Sequence, residues 1–177
     1  MKVDIVMRWL LFQPKRLILK IRHGHRFLCG SKCKVSQFAS IHLDSSKAKM
    51  ALGDRVSIRS NAEIFAFGEG TLIVGAGTFI NRNTIIGVFD KISIGRSVTI
   101  GPNVCIYDHN HGLHGNIDFE ADEIIIGDNV WIGANVCILK GCKIGNNSVI
   151  GAGSVVTTDV PANSILIQKK ENTFLEK

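Results

Sequence analysis

The chain has 177 residues, of which 45% are hydrophobic, and its Lys and Arg residues outnumber Asp and Glu by 21 to 15. This length and composition predict one folded domain with a substantial core and argue against a disordered chain. The net charge of +6 comes without a recognition-helix, RNP or zinc-finger pattern, so nucleic acid is not expected as a partner.

Residues 1–34 form a basic segment without any repeat. Its apolar stretch Trp9–Phe12 is interrupted by Pro14, is too short to span a membrane and is not followed by a signal-cleavage pattern. One or two short amphipathic helices fit this segment, which either caps an open end of the fold or lies on a membrane surface. Five cysteines without CxxC spacing fit a reducing compartment. We expect a cytoplasmic protein, with peripheral contact at the inner face of the membrane as the segment's alternative role.

The strongest signal in the sequence is an aliphatic residue at every sixth position, with a small or β-branched residue four positions after each. A period of six fits neither an α-helix nor a long alternating strand. It fits a three-sided prism of short strands whose inward side chains stack into ladders. The sequence predicts an all-β fold, a parallel β-helix of hexapeptide repeats over residues 35–166 with roughly seven coils of eighteen residues, and a tail at 167–177. The unbroken aliphatic run comprises Ile126, Ile132, Ile138, Ile144, Ile150 and Val156.

Glycine and asparagine recur where this prism needs corners. Glycine usually follows the aliphatic residue directly, and asparagine stands three positions after it. Both residue types tolerate a positive φ, so we predict that they adopt the corner conformation. The corner asparagines are Asn103, Asn129, Asn135 and Asn147.

The repeat is lost completely in one segment, residues 107–123. Smaller slips in phase occur between residues 64 and 74 and between 86 and 94. Solenoid proteins usually place function where the repeat is interrupted. The segment 107–123 contains half of the six histidines, which makes it the candidate functional excursion. These histidines are His109, His111 and His114.

Two phrases carry a family resemblance. Residues 124–161 read IIIGDNVWIGANVCILKGCKIGNNSVIGAGSVVTTDVP, and residues 97–111 read SVTIGPNVCIYDHNH. The chain resembles the hexapeptide-repeat acyltransferases, in particular the branch of maltose and galactoside acetyltransferases and of capsule and lipopolysaccharide O-acetyltransferases. The resemblance implies a left-handed coil and a homotrimer with active sites between subunits. The C-terminus departs from the family, which leaves cofactor contacts beyond Pro161 open.

The resemblance also implies an activity: transfer of acetyl from acetyl-CoA, as co-substrate, to a sugar hydroxyl, in surface polysaccharide or lipopolysaccharide biosynthesis. No metal is expected. Such a reaction needs a base near neutral pH, which an imidazole supplies. The family's catalytic histidine aligns with His111, while His109 competes for the role. Asp108 either orients an imidazole or serves only as a turn residue.

Further site residues follow from the same resemblance. Asn81 matches an asparagine that contacts the acceptor, although a corner asparagine would look the same. Trp131 occupies an outward position and is expected to pack on the acceptor or on the pantetheine arm, with a trimer contact as the alternative. The positions matching the backbone that lines the pantetheine are Gly133, Ala134, Gly151, Ala152, Thr157 and Thr158.

Three other functions stay open at this point. One is a γ-carbonic-anhydrase-like zinc enzyme that recruits the histidines of the excursion across a subunit boundary. Another is an N-acetyltransferase acting on a nucleotide-linked amino sugar, which differs only in the acceptor. The third is a scaffold without catalytic activity, for which replacing His111 would have no effect on thioester turnover.

Overall fold

A computed structural model describes residues 15–111 and 119–168 of the chain. These residues form a parallel β-solenoid of three sheets with six, seven and six strands, which corresponds to six complete turns and one further strand. The predicted all-β repeat fold is confirmed, with six turns where about seven were expected from strand spacing. The left hand of the coil stays a prediction. No helix within the described ranges is long and apolar enough to cross a bilayer.

Each turn contributes one strand to each of three faces, numbered in chain order. Face A consists of β1 Phe27–Cys29, β4 Lys49–Leu52, β7 Thr71–Val74, β10 Lys91–Ile94, β15 Ile124–Ile126 and β18 Lys143–Ile144. Face B consists of β2 Lys34–Val35, β5 Ser57–Ile58, β8 Phe79–Ile80, β11 Thr99–Ile100, β16 Trp131–Ile132, β19 Val149–Ile150 and β21 Ile165–Leu166. Face C consists of β3 Ser40–Leu43, β6 Glu63–Ala66, β9 Ile85–Val88, β12 Cys105–Tyr107, β17 Cys137–Ile138 and β20 Val155–Val156.

The core is a set of in-register ladders along the solenoid axis. On face B the inward residue of each strand pairs with its equivalent one coil further along, and all are essentially inaccessible to solvent. Because every sixth residue points inward, the hexapeptide period translates directly into these stacks. The face B ladder contains Ile58, Ile80, Ile100, Ile132 and Ile150.

The corners confirm the prediction for asparagine and correct it for the repeat glycines. The predicted asparagines have φ between 56° and 58°. They also form side-chain ladders, in which Asn103 Nδ2 donates to Asn135 Oδ1 over 3.1 Å. The glycine after the aliphatic residue has no positive φ, and its role is close packing. A Cβ on Gly133 would lie 2.6 Å from the backbone nitrogen of Ala152 in the next coil.

A short helix closes the N-terminal end of the described solenoid. Residues 15–23 are helical and lead through a 3₁₀ turn, Gly24–Arg26, into β1. Leu19 is 2% exposed and belongs to the core, so one side of the helix covers the first coil. The strand β1 lies within the segment 1–34, which the sequence assigned to a cap or a membrane contact, so the coils begin earlier than residue 35.

Candidate active site

The interrupted repeat forms a two-stranded ribbon where face C passes to face A. After β12, strand β13 (His109–His111) pairs antiparallel with β14 (Phe119–Ala121), and the chain then enters β15. His109 and His111 therefore project from a ribbon outside the prism. His114, the third histidine of the predicted excursion, lies outside the described residues.

A buried carboxylate anchors this ribbon at its base. Asp108 has no exposed surface. Its Oδ1 atom accepts a hydrogen bond from the backbone N–H of Phe89 over 2.8 Å, and Oδ2 accepts one from the N–H of Asp90 over 2.9 Å. Oδ1 also lies 2.9 Å from Nδ1 of His109. A buried charge is costly unless it is hydrogen-bonded, and here both oxygens are used.

His109 is held by this carboxylate and by a cluster of aromatic rings. Because an ionised carboxylate can only accept a hydrogen bond, Nδ1 of His109 is the donor in this pair. The ring stands edge-on to Phe67 at 5.0 Å and to Tyr107 at 5.9 Å between centroids, and tilted to Phe89 at 6.2 Å. Its side chain is 8% exposed. The orientation of the imidazole is thus fixed from several sides.

His111 occupies a more accessible position on the same ribbon. It is exposed, and its backbone pairs with that of Phe119 on the returning strand. Alternate residues of a strand share a side, so His109 and His111 have the relation expected of neighbours on one side of β13. The imidazole that is hydrogen-bonded to Asp108 is that of His109. The ribbon therefore presents one anchored histidine and one exposed histidine.

The aromatic cluster contains residues that the sequence did not single out. Phe67 and Phe89 lie at the two smaller slips in phase, and their rings are 5.0 Å apart. The slips signalled that the coil β4–β6 and the coil β7–β9 both carry extra residues at the corner between faces C and A. A repeat pattern specifies inward and outward positions, but it does not tell which outward rings meet.

The other predicted site residues occupy two edges and one face of the prism. At the corner between faces C and A, Thr157 and Thr158 are exposed on the same edge from which the ribbon departs. Trp131 points outward on face B and is 54% exposed. The residues at the corner between faces B and C, hereafter the BC corner, are Asn81, Gly133, Ala134, Gly151 and Ala152.

Within a single chain, the predicted acceptor contact, Asn81, and the predicted base, His111, lie far apart, at different corners of the prism. Asn81, whose Oδ1 accepts the N–H of Arg82 over 2.9 Å, stands on the BC corner. His111 stands on the ribbon at the next corner of the prism, across face C. Face C separates these two corners within one solenoid, so the structure does not bring these predicted residues into one site within the described chain.

The charged groups near the ribbon are mostly paired. Lys140 forms an ion pair of 3.3 Å with Glu120 on the returning strand, and Lys91 forms one of 3.0 Å with Glu123. Within residues 15–111 and 119–168, no three His, Cys, Asp or Glu side chains converge as metal ligands.

Known proteins with related sequences are acetyltransferases. The family model described as bacterial transferase hexapeptide (six repeats) matches residues 123–158. The chain is 30% identical over 148 residues to WbbJ of Escherichia coli (strain K12), whose name assigns it provisionally to O-acetyl transfer in lipopolysaccharide biosynthesis; the match covers 76% of this chain and 74% of WbbJ. It is 40% identical over 105 residues to galactoside O-acetyltransferase of the same organism, covering 57% of this chain and 51% of that protein. The chain thus spans about half the length of this second relative.

A solved structure extends the likeness to most of the fold. A hexapeptide-repeat acetyltransferase from Vibrio cholerae O1 biovar eltor, in complex with acetyl coenzyme A, is 29% identical. The match covers 93% of this chain and 77% of that chain, with a TM-score of 0.58. The repeat and the coil geometry described above are therefore shared with an acetyltransferase along nearly the whole chain.

Proposed function

The chain belongs to the hexapeptide-repeat acyltransferase family, and from this premise we propose that it transfers the acetyl group of acetyl-CoA to a hydroxyl of a sugar. The observation that carries the proposal is the histidine ribbon at the one complete interruption of the repeat, anchored by the buried carboxylate of Asp108. The names of the two sequence relatives and the ligand of the Vibrio cholerae structure support O-acetyl transfer from acetyl-CoA. They favour it over zinc-dependent hydration and over transfer to an amine.

In the proposed mechanism, His111 is the general base. Acetyl-CoA supplies an acetyl thioester. The imidazole of His111 takes the proton from the acceptor hydroxyl as its oxygen attacks the thioester carbonyl, and it returns that proton to the departing sulfur. The C–O bond that forms and the C–S bond that breaks balance the reaction without a covalent enzyme intermediate. Exposure suits His111 to this role, because the acceptor must reach its ring.

His109 and Asp108 position the base in this proposal. The Asp108 carboxylate holds His109, and the aromatic rings of Phe67 and Tyr107 restrict it further. Since His109 and His111 share a short strand, fixing the first ring restricts the backbone that carries the second. A site on a rigid support keeps reacting atoms close to the productive geometry, which is worth several kcal/mol of barrier, about 7 or more in favourable cases.

We propose that the complete site forms between subunits of a homotrimer. A second subunit can bring its BC corner, with Asn81, against the ribbon of the first, which a single prism cannot do by itself. Asn81 would then contact the acceptor. Trp131 would pack on the pantetheine arm or the acceptor, and the small residues would permit close approach of acetyl-CoA to the backbone. These residues are Gly133, Ala134, Gly151, Ala152, Thr157 and Thr158.

The acceptor is proposed to belong to surface polysaccharide or lipopolysaccharide synthesis in the cytoplasm, with the N-terminal helix at the inner face of the membrane. Leu17, Ile18 and Ile21 of this helix are 54–76% exposed, and Lys20 and Arg22 beside them are exposed cations. An amphipathic basic helix of this kind binds anionic lipid surfaces. Sedimentation with phosphatidylglycerol vesicles tests this contact. It should be lost in I18S/I21S and absent with phosphatidylcholine, and equal sedimentation of the variant would refute it.

The enzymatic proposal is tested by thiol release from acetyl-CoA with a panel of sugars, together with mass spectrometry of the products. We expect sugar-dependent thiol release, a product heavier by one acetyl group, and loss of both in H111A. A scaffold would give no sugar-dependent release. An N-acetyltransferase would acetylate amino sugars alone. A zinc enzyme would contain stoichiometric zinc and would lose its activity when that zinc is removed.

A further inference from the structure

One column of residues runs along the BC corner, directly after the inward aliphatic residue of each face B strand. The backbone N–H of Arg59 donates to Ile80 O over 3.0 Å, and that of Asn81 to Ile100 O over 3.2 Å. The same bond recurs from Gly101 and from Gly133 in the following coils, at 2.8 Å each. These bonds place Arg59, Asn81, Gly101 and Gly133 one above the other.

The residue type in this column changes at Asn81, from glycine on one side to arginine on the other. Towards the C-terminal end it consists of Gly101, Gly133 and Gly151, where a Cβ would collide with the next coil or lie close to it. This part is a groove without side chains. Towards the N-terminal end, Arg59 stands one strand spacing, about 4.8 Å, from Asn81. Arg82 follows Asn81 directly in the chain. The asparagine proposed to contact the acceptor therefore has an arginine residue on each of two sides.

Neither guanidinium is neutralised within the part of the chain that the structure describes. Arg59 is half-buried and Arg82 is exposed, and the ion pairs found among the described residues include neither of them. The BC corner segments of six successive coils contain no acidic residue: 36–39, 59–62, 81–84, 101–104, 133–136 and 151–154. The nearest carboxylate along the chain, Glu63, opens the strand on face C and is exposed.

The corner between faces A and B shows that this is not a general property of the solenoid. There, Arg55 and Arg96 are accompanied by Asp54 and Asp128. Asp54 accepts bonds from Ser31, and Asp128 accepts the backbone N–H of Arg96 over 2.6 Å. Two carboxylates thus lie among the cations Lys32, Arg55 and Arg96 of that corner, whereas the segments of the BC corner contain arginines without any carboxylate.

We propose that the acceptor is an acidic sugar whose carboxylate or phosphate is bound by Arg59 and Arg82 beside Asn81. The inference rests on the proposed function and names its substrate class. Arginine matches these groups because its planar fork donates two parallel hydrogen bonds to a pair of oxygens. The phosphates of acetyl-CoA are the other anionic source, but the glycine groove proposed for the pantetheine leads away from Arg59. Arg59 therefore lies on the side of Asn81 opposite to that groove, and Arg82 lies in the same coil as Asn81.

The test compares matched acceptors: methyl galactoside, methyl galacturonoside and methyl galactoside 6-phosphate, with gluco-configured counterparts. Wild-type enzyme should have a higher kcat/KM for at least one anionic acceptor than for its neutral counterpart. In R59Q/R82Q the KM for that acceptor should rise about tenfold or more, while the KM for acetyl-CoA stays unchanged. R59K and R82Q separately should show smaller increases. The control R55Q/R96Q removes the same charge from the other corner and should leave all constants unchanged.

Three results would overturn the inference. The first is a wild-type enzyme that uses every neutral acceptor as well as its anionic counterpart. The second is a rise in the KM for acetyl-CoA alone in R59Q/R82Q, which would assign the arginines to the co-substrate. The third is an equal effect in R55Q/R96Q, which would show that Arg59 and Arg82 act only through the net charge of the protein.

Calorimetric titration with oligogalacturonate, without acetyl-CoA, separates this inference from the proposed function. Arginine-dependent binding without any acetyl transfer would contradict the enzymatic proposal alone.

Discussion

Asp108 and His109 are neighbours in the chain, and Oδ1 of Asp108 lies 2.9 Å from Nδ1 of the His109 ring. The same carboxylate accepts the backbone N–H groups of Phe89 and Asp90 in the preceding coil. One fully buried side chain thus joins two irregular segments of an otherwise regular solenoid. The position of the histidine ribbon depends on this connection, and so does the geometry of any reaction at His111.

We predict different consequences for the two histidines. H111A should lower kcat by about 10²- to 10⁴-fold, the range for loss of a general base, with an unchanged melting temperature because the side chain is exposed. H109A should lower the melting temperature as well as the rate, because it leaves Asp108 without one partner and opens a gap in the aromatic cluster. Steady-state kinetics and thermal unfolding distinguish the two. H25A, which removes an exposed histidine far along the chain, is the control, and wild-type kcat in H111A would disprove the assignment of the base.

D108N should destabilise the fold and slow the reaction together. The substitution replaces one of the two acceptor oxygens of Asp108 by an amide nitrogen, so at least one of the Phe89, Asp90 and His109 groups loses its acceptor. An unsatisfied buried group costs about 1–3 kcal/mol, which urea unfolding can measure. The control is E120Q, which removes a carboxylate whose side chain is 73% exposed in its pair with Lys140. Because surface pairs contribute little, it should leave the unfolding midpoint nearly unchanged. Equal unfolding midpoints for D108N and wild type would show that the anchor is unimportant.

Trp131 should act in binding and not in folding. Its side chain is 54% exposed on face B, so W131A should leave the unfolding free energy nearly unchanged. If the indole packs on the pantetheine arm, the KM for acetyl-CoA should rise about tenfold, the loss expected on removing a well-packed aromatic contact. F38A removes another exposed ring, 66% accessible, and should change neither constant. A changed oligomeric state in W131A, with normal KM values, would favour the trimer-contact alternative.

The fold was predictable because one local rule repeats. An inward aliphatic residue at every sixth position determines both the strand and its partner, so the ladder from Ile58 to Ile150 follows from the pattern itself. The reason for glycine was wrong. At Gly133 the restriction is the backbone of the adjacent coil, and distances between coils are not encoded in the period. The number of complete turns, six, depended on where the excursion interrupts the repeat.

The arrangement of the candidate site was predictable only in part, for physical reasons. His109 and Asp108 lie in the break that the sequence indicated, but their hydrogen bond to each other and their link to Phe89 depend on a coil nineteen residues earlier. Rings such as Phe67 meet His109 because two slips in phase coincide at one corner. The separation of Asn81 from the ribbon follows from which corner each residue occupies, and this requires counting strands across the whole repeat.

A second buried histidine, His23, is held by the fold without hydrogen bonds. It is 6% exposed, and neither ring nitrogen has a hydrogen-bond partner among the described residues. It lies at the end of the N-terminal helix whose Leu19 enters the core. Burial lowers the pKa of His23 below its ordinary value, and the positive charges of Arg26 and Arg22 and the ring of His42 lower it further, while Asp44 opposes them weakly. The ring is therefore neutral in the folded protein at neutral pH.

This environment predicts that acid loosens the N-terminal cap. Above about pH 6.5, the ordinary pKa of histidine, His23 is neutral in both the folded and unfolded states and contributes no pH dependence. As the pH falls below that value, the unfolded chain binds a proton that the folded state resists, so stability decreases until the lower folded pKa is reached. H23L should lose less stability than wild type between pH 7.5 and 5.5, measured by urea unfolding at both values. H25Q, at an exposed neighbour, should behave like wild type. A wild-type protein that gains stability relative to H23L on acidification would show that the fold prefers the charged ring.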